Sequence, residues 1–193
     1  MMRVDFENPW ERYALISELA RRFDAEHIRI GKTPLQKVIF LLQRVFRVDC
    51  DYAYTLYTYG PYCAEVARDI DIVEGLGGVV INYDDRLGAF EIRPGPANEE
   101  LRKRGATFLQ RVAGALQQLL LDYGRASAKD IDLRSTIVFI SKDDRNKQEI
   151  VRRVHEVKLH FSIAQIETAL HELEIQGYVG NGFAASQTLT ATS

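Results

Sequence analysis

Tyr13, Ile16, Leu19 and Phe23 recur at helical spacing, so the first predicted element is a helix over 9–23. Asn8 supplies its cap, and Pro9 takes the first helical position, where a backbone N–H has no partner to lose. Thr33, Pro34 and Gln36 repeat that logic as cap, first-turn proline and capping-box partner of a second helix over 33–47. Its stripe of Leu35, Val38, Ile39, Leu42, Val45 and Phe46 shares one face and must be buried.

Residues 52–59 are mostly aromatic or β-branched and predict an extended segment, which Gly60-Pro61 breaks. A third helix over 62–76 is predicted to bury Cys63, Val66, Ile70 and Val73 and to stop at Gly77-Gly78. The runs Val79-Val80-Ile81-Asn82-Tyr83 and Ala89-Phe90-Glu91-Ile92, around a tip at 84–88, predict a β-hairpin.

Pro94-Gly95-Pro96 is the clearest punctuation in the chain and marks an expected boundary. Beyond it, Asn98 is expected to cap one long helix to residue 123, with Leu101, Phe108, Leu109, Val112, Leu116 and Leu119 inward. Helices follow over 127–142 and 147–160, separated by a polar loop at 143–146; the run Ile137 to Ile140 suits a helix, with a buried strand as the alternative. Ser162 and Gln165 form the capping box of a last helix striped by Ile163, Ile166, Leu170 and Leu173, and Gly177 supplies the left-handed position after it. Residues 180–193 are small, polar and aperiodic, as in a flexible tail. The expected fold is therefore mainly α with a small β-hairpin. A winged-helix-like half over 1–95 shares a continuous core with a helical half over 96–179 that ends in a helix-turn-helix-like pair.

Composition narrows the function. With 193 residues, 46% hydrophobic and 27% charged, the chain can bury a core without metals or disulfides. Two cysteines, Cys50 and Cys63, make neither a disulfide scaffold nor a zinc site. No apolar run approaches the roughly 20 residues of a membrane span, and Asp5, Glu7 and Glu11 stand where a signal peptide would be apolar. A cytoplasmic protein with no membrane contact is expected. The 25 basic and 27 acidic residues leave a net charge of −2, which disfavours DNA as a partner unless a local patch draws it. Nothing in the pattern calls for a particular oligomeric state.

Catalytic chemistry finds little support. His155, His160 and His171 are not spaced to share a helix face as metal ligands, and no phosphate-binding glycine loop or nucleophile motif occurs. Asp84 or Asp85 with Glu91 and Arg93 could outline a nuclease-like acid cluster, but the lysine such sites usually carry is missing. A non-enzyme without cofactor or metal is expected.

Surface chemistry is more telling. Glu65, Arg68, Asp69 and Ile72 are predicted on the outward face of the third helix, with Asp71 and Glu74 adding to its acidity. Carboxylates there would repel phosphates from the position of a DNA-reading helix, so this face suits a protein partner. Basic residues gather on the second helix, where Lys37, Phe40, Arg44 and Arg47 form an alternative nucleic-acid face, and on the sixth, where Arg152, Arg153 and Lys158 could hold phosphate. Phe40 has a second reading, as apolar surface covered by the C-terminal half.

The run Leu35-Gln36-Lys37-Val38-Ile39-Phe40, followed by Tyr59-Gly60-Pro61-Tyr62, resembles the YwgA-like bacterial family. It is also similar to the toxin-neutralising C-terminal domain of macrodomain antitoxins that oppose DNA ADP-ribosyltransferase toxins, and more loosely to the Panacea antitoxin domain. The likeness extends to Leu133-Arg134-Ser135-Thr136 and to residues 162–179. It implies a non-catalytic module that occupies a nucleic-acid-modifying toxin by presenting a DNA-like acidic surface. The expected function is thus a protein-binding module, antitoxin-like or phage-defence-associated. The alternative is a winged-helix transcriptional regulator that uses Lys37, Arg44, Arg47 and the hairpin tip.

Overall fold

The computed structural model of the chain describes residues 9–58, 60–85, 88–142 and 146–180. The expectations placed on Asn8, Tyr59, 86–87 of the hairpin tip, 143–145 of the polar loop and the tail from 181 lie outside those residues. The fold is mainly helical with two small antiparallel two-stranded sheets, as the pattern predicts for its class, with one hairpin more than expected.

The chain forms two compact units, and they do not divide at Pro94-Gly95-Pro96. One takes residues up to Tyr54 together with Cys63–Ala126; the other takes Thr55–Tyr62 and residues from Ser127 on.

In the first unit, α1 (Trp10–Ala25) is buried without a break from Tyr13 to Ala20. It packs against α3 (Ala64–Gly75), α4 (Asn98–Arg104), α5 (Ala106–Arg111) and strand β4 (Ala89–Pro94). Helix α2 (Lys32–Arg44) is likewise buried throughout Leu35 to Leu42 and packs on α3 and on α6 (Ala113–Tyr123). Leu101, Phe108, Leu116 and Leu119 join the same core, which is why 98–123 belongs to this unit. Strand β3 (Val79–Asp84) pairs with β4 in unbroken register from Val79↔Pro94 to Asp84↔Ala89.

Two expected caps fail here for tertiary reasons. Helix α2 starts earlier than expected, from an extended Gly31 with no side chain to cap it, and Gln36 turns its Oε1 to the Cys63 N–H at 3.1 Å. Asn98 is buried, and its Nδ2 donates to the carbonyls of Ser17 and Gly78, both at 2.9 Å. The single helix expected over 98–123 breaks at Gly105 and Val112. A Cβ on Gly105 would lie 2.4 Å from the Ala14 Cβ, so the absent side chain lets this junction rest on α1.

The second unit comprises β1 (Thr55–Tyr57), β2 (Gly60–Tyr62), α7 (Ala128–Ile140), α8 (Lys147–Val157) and α9 (Ile163–Ile175). Its helices start from strong local signals. Ser127 with Asp130 and Ser162 with Gln165 form capping boxes, and Asn146 Oδ1 accepts the N–H groups of Gln148 and Glu149. Gly177 takes the expected left-handed conformation at φ +73°. Ile163 is exposed, so the buried stripe of α9 begins at Ile166.

Candidate functional site

Helix α3 buries Val66, Ile70 and Val73 as predicted, but it also buries Asp69, only 3% exposed. Spacing explains the correction: 66, 69, 70 and 73 form one i, i+3, i+4, i+7 stripe, so Asp69 belongs to the core face rather than the outward one. Its carboxylate accepts a hydrogen bond from the Tyr52 hydroxyl at 2.8 Å, with the Arg12 guanidinium 3.8 Å away. Arg12 lies 4.3 Å over the Tyr52 ring and donates to the carbonyls of Cys50 and Asp51, each at 2.9 Å. Burial pushes the Asp69 carboxyl above its usual range despite these partners. The Tyr52 hydroxyl is also pushed up, by burial and then by Asp69, and burial raises the Cys50 thiol to about 12, so it is an inert thiol at neutral pH.

What remains outward on α3 is a charged border. Arg68 and Asp71 are exposed, Glu65, Ile72 and Glu74 half-buried. Arg68 faces Glu65 at 3.7 Å, and Lys32 Nζ donates to Asp71 at 2.8 Å.

The cationic face expected on α2 does not form. Lys37 is 5% and Phe40 3% exposed, and Phe40 meets Tyr54 edge-on at 5.0 Å within the same unit. A helix buried on nearly every side shows no outward stripe, which leaves only Arg44, half-buried, and Arg47, exposed, of the four residues. On α8, Arg152 pairs with Glu149 and Glu156, while Lys158, expected at the surface, is buried against Asp132.

The β3–β4 hairpin carries a feature that the sequence pattern does not reveal. Opposite residues of an antiparallel pair share a face, so Val79/Pro94, Ile81/Ile92 and Tyr83/Phe90 line one side. Val79 and Ile92 are buried, but Tyr83 and Phe90 are 54% and 55% exposed, their rings 5.1 Å apart. The apolar face of the hairpin runs past the end of the core. Its other face is polar: Arg29 bridges to Asp84 at 3.1 Å and to Glu91 at 3.5 Å, and Arg93 meets Glu91 at 3.1 Å. Among the described residues no group of three His, Cys, Asp or Glu is placed to hold a metal ion.

Residues 31 and 32 run from the β4 backbone to the α3 border. A Cβ on Gly31 would sit 2.8 Å from the Phe90 carbonyl oxygen, and the next residue is Lys32, which holds Asp71. Two strand-forming runs around a polar, glycine-containing tip mark the hairpin; no local signal says where the core beneath it stops.

The tyrosine-glycine-proline turn lies in the second unit. Gly60 adopts φ +91°, and a Cβ there would fall 2.8 Å from Thr136 Oγ1 and 3.3 Å from Asp132 Oδ1. Glycine is needed for both the backbone and the space. Beneath it Lys158 Nζ donates to both Asp132 oxygens at 2.8 and 2.7 Å, and Thr136 Oγ1 donates to the Asp132 carbonyl at 2.8 Å. Pro61 is buried, and Tyr62 is exposed with its ring 5.9 Å from Tyr57. Between α7 and α9 an open groove of about 360 Å³, floored by Leu133, Phe161 and Ala169, is crossed by the Arg134–Glu172 ion pair.

Compared with known proteins, no protein-family model matches this chain and no curated protein sequence matches it.

Proposed function

We propose that this chain is a non-catalytic protein-binding module, antitoxin-like or phage-defence-associated, whose contact surface joins the Tyr83–Phe90 pair to the outward side of α3. One observation carries the reading: two aromatic rings, each more than half exposed, sit together toward the free end of the β3–β4 hairpin. Large aromatic anchors framed by charged groups are the usual makings of a protein contact. Glu65, Asp71 and Glu74 stand where phosphates would lie in a basic partner groove, which suits a nucleic-acid-modifying toxin. Asp69 takes no part, since it is committed to Tyr52 and Arg12. No helix among the described residues is long and apolar enough to cross a membrane, and Cys50 and Cys63 are buried free thiols; both facts support a cytoplasmic setting.

The test is recovery of the partner by the tagged full-length chain from its own cells. A stoichiometric partner is expected with the native chain, lost with Tyr83→Ser/Phe90→Ser and with Glu65→Lys/Glu74→Lys, while thermal unfolding is nearly unchanged. Retained capture by both double variants overturns the surface. Tight binding of duplex DNA that weakens steeply with salt overturns the class in favour of a regulator.

A further inference from the structure

The two strands of the β3–β4 hairpin have different outer edges. Ile92 donates its N–H away from β3, to the Ile30 carbonyl at 2.8 Å, and Gly95 donates to the Gly78 carbonyl at 3.0 Å, one rung below Val79↔Pro94. Opposite residues in an antiparallel ladder exchange both hydrogen bonds or neither, and the two kinds alternate. The bonded rungs are therefore 80/93, 82/91 and 84/89, and Val79, Ile81 and Tyr83 point their N–H and C=O groups away from β4. Residue 30 covers the β4 edge at Ile92. Along β3, no hydrogen bond to the outward main-chain groups of Ile81 or Tyr83 is found among the described residues.

Sheet edges are normally guarded by lysine, proline or a bulge. Strand β3 reads Val-Val-Ile-Asn-Tyr-Asp, has no bulge, and carries its one charge, Asp84, at the tip, where Arg29 holds it. Such an edge calls for another extended strand.

We infer that two copies of this chain pair antiparallel through β3, with the two-fold axis passing between their Asn82 residues. In that register Ile81 of each copy opposes Tyr83 of the other, and both direct their free main-chain groups across the gap, giving four hydrogen bonds. Buried Val79 keeps its place. On the apolar face each row then reads Ile92, Ile81, Tyr83, Phe90 across four strands, so the exposed Tyr83 ring gains an isoleucine neighbour. On the polar face the exposed Asn82 amide meets its own copy, with donors and acceptors matched, and Val80 meets Asp84. No like charges are opposed. The contact uses the same patch on both copies and so closes at two.

Tyr83 takes part in both surfaces, but Asn82 projects from the face opposite Tyr83 and Phe90, so substitutions at Asn82 test self-pairing without altering the proposed partner surface. Sedimentation velocity of the full chain across a concentration series should show growth from the 22.0 kDa of one chain toward twice that mass. Asn82→Lys and Asn82→Asp, each folding with native thermal stability, should weaken association by about tenfold or more, since each sets like charges face to face. An equimolar mixture of the two should associate again. Asn82→Cys should form a disulfide-linked dimer on oxidation, since opposed non-bonded positions lie about 4.5 Å apart at Cα. A native chain that keeps one chain's mass at every concentration overturns the inference. So does association that Asn82→Lys leaves intact, or a mixture that fails to restore it.

Discussion

The two hairpins use the same element for opposite ends. The first, β1–β2, is held down: Gly60 rests on Thr136 and Asp132 over the buried Lys158 that Asp132 holds. The second, β3–β4, is tied at its base, where Asn98 links Gly78 to Ser17, and along β4 by Ile30 and Arg29, while its far end carries the Tyr83 and Phe90 rings outward. One turn thus stores its polar chemistry inside the fold, and the other displays its apolar chemistry outside it. A glycine in a turn motif therefore says little about function until its neighbours are known.

The largest effect that would separate the two lies under the first hairpin. Asp132→Ala leaves the buried Lys158 charge without its carboxylate and is expected to cost roughly 3–5 kcal/mol in urea unfolding, and Lys158→Ala, which leaves the part-exposed Asp132, about 1–3 kcal/mol. Lys158→Met/Asp132→Leu should recover much of that loss. Destabilisation under 1 kcal/mol by both single variants would mean the pair does not anchor the strands.

Next comes the body that carries the second hairpin. Burial alone would raise the Glu18 carboxyl, but hydrogen bonds from Arg21 and Arg22 outweigh it and hold the group at about 2, against an ordinary 4.5; Arg102 lies 2.9 Å away. Because the folded value is the lower one, this stability is fully present above pH 4.5 and drains away as pH falls toward 2, on the order of 3 kcal/mol in all. Glu18→Gln should flatten acid unfolding across that window, and an unchanged acid limb would refute the assignment. Asp69, shifted the other way by burial, opposes folding as it ionises above its ordinary value, so Asp69→Asn should leave the acid loss from Glu18 in place.

A matched glycine pair gives a smaller contrast. Gly60→Ala meets both a positive φ and a 2.8 Å contact and should cost about 2 kcal/mol, whereas Gly88→Ala, at φ +62° with its nearest neighbour 3.7 Å away, should cost about 1 kcal/mol. Equal losses in thermal melts would erase the difference between the turns. The smallest stability effect belongs to the rings: Tyr83→Ser/Phe90→Ser and Tyr57→Ser/Tyr62→Ser should each stay within about 0.5 kcal/mol of the native chain. Only the first pair should lose the partner.

Local signals in the sequence were reliable where nothing distant competed. The Ser162–Gln165 box forms as predicted because both halves lie within one helical turn. The same signal at Thr33 and Gln36 fails because the helix begins at Lys32, which puts Thr33 inside it, and the Cys63 N–H, brought by the fold, takes the Gln36 oxygen. Asp69 was legible from its spacing to Val66, yet a carboxylate invites an outward reading until Tyr52 and Arg12 are seen to receive it. Lys37 and Phe40 were not legible, since periodicity cannot reveal a helix enclosed on nearly all sides. The β3–β4 hairpin was legible, but its exposed tip depends on where helices distant in sequence end beneath it.

Thr55–Tyr62 is built into a unit whose remaining residues begin only at Ser127. During synthesis at roughly 5–20 residues per second, these two short strands emerge on the order of ten seconds before Lys158 exists to sit beneath Gly60. The nascent chain must carry an aromatic-rich extended segment unprotected through that interval. A fragment cut to start at Ser127 would face the same vacancy permanently, which makes the interleaved strands a checkpoint that only the whole polypeptide can pass.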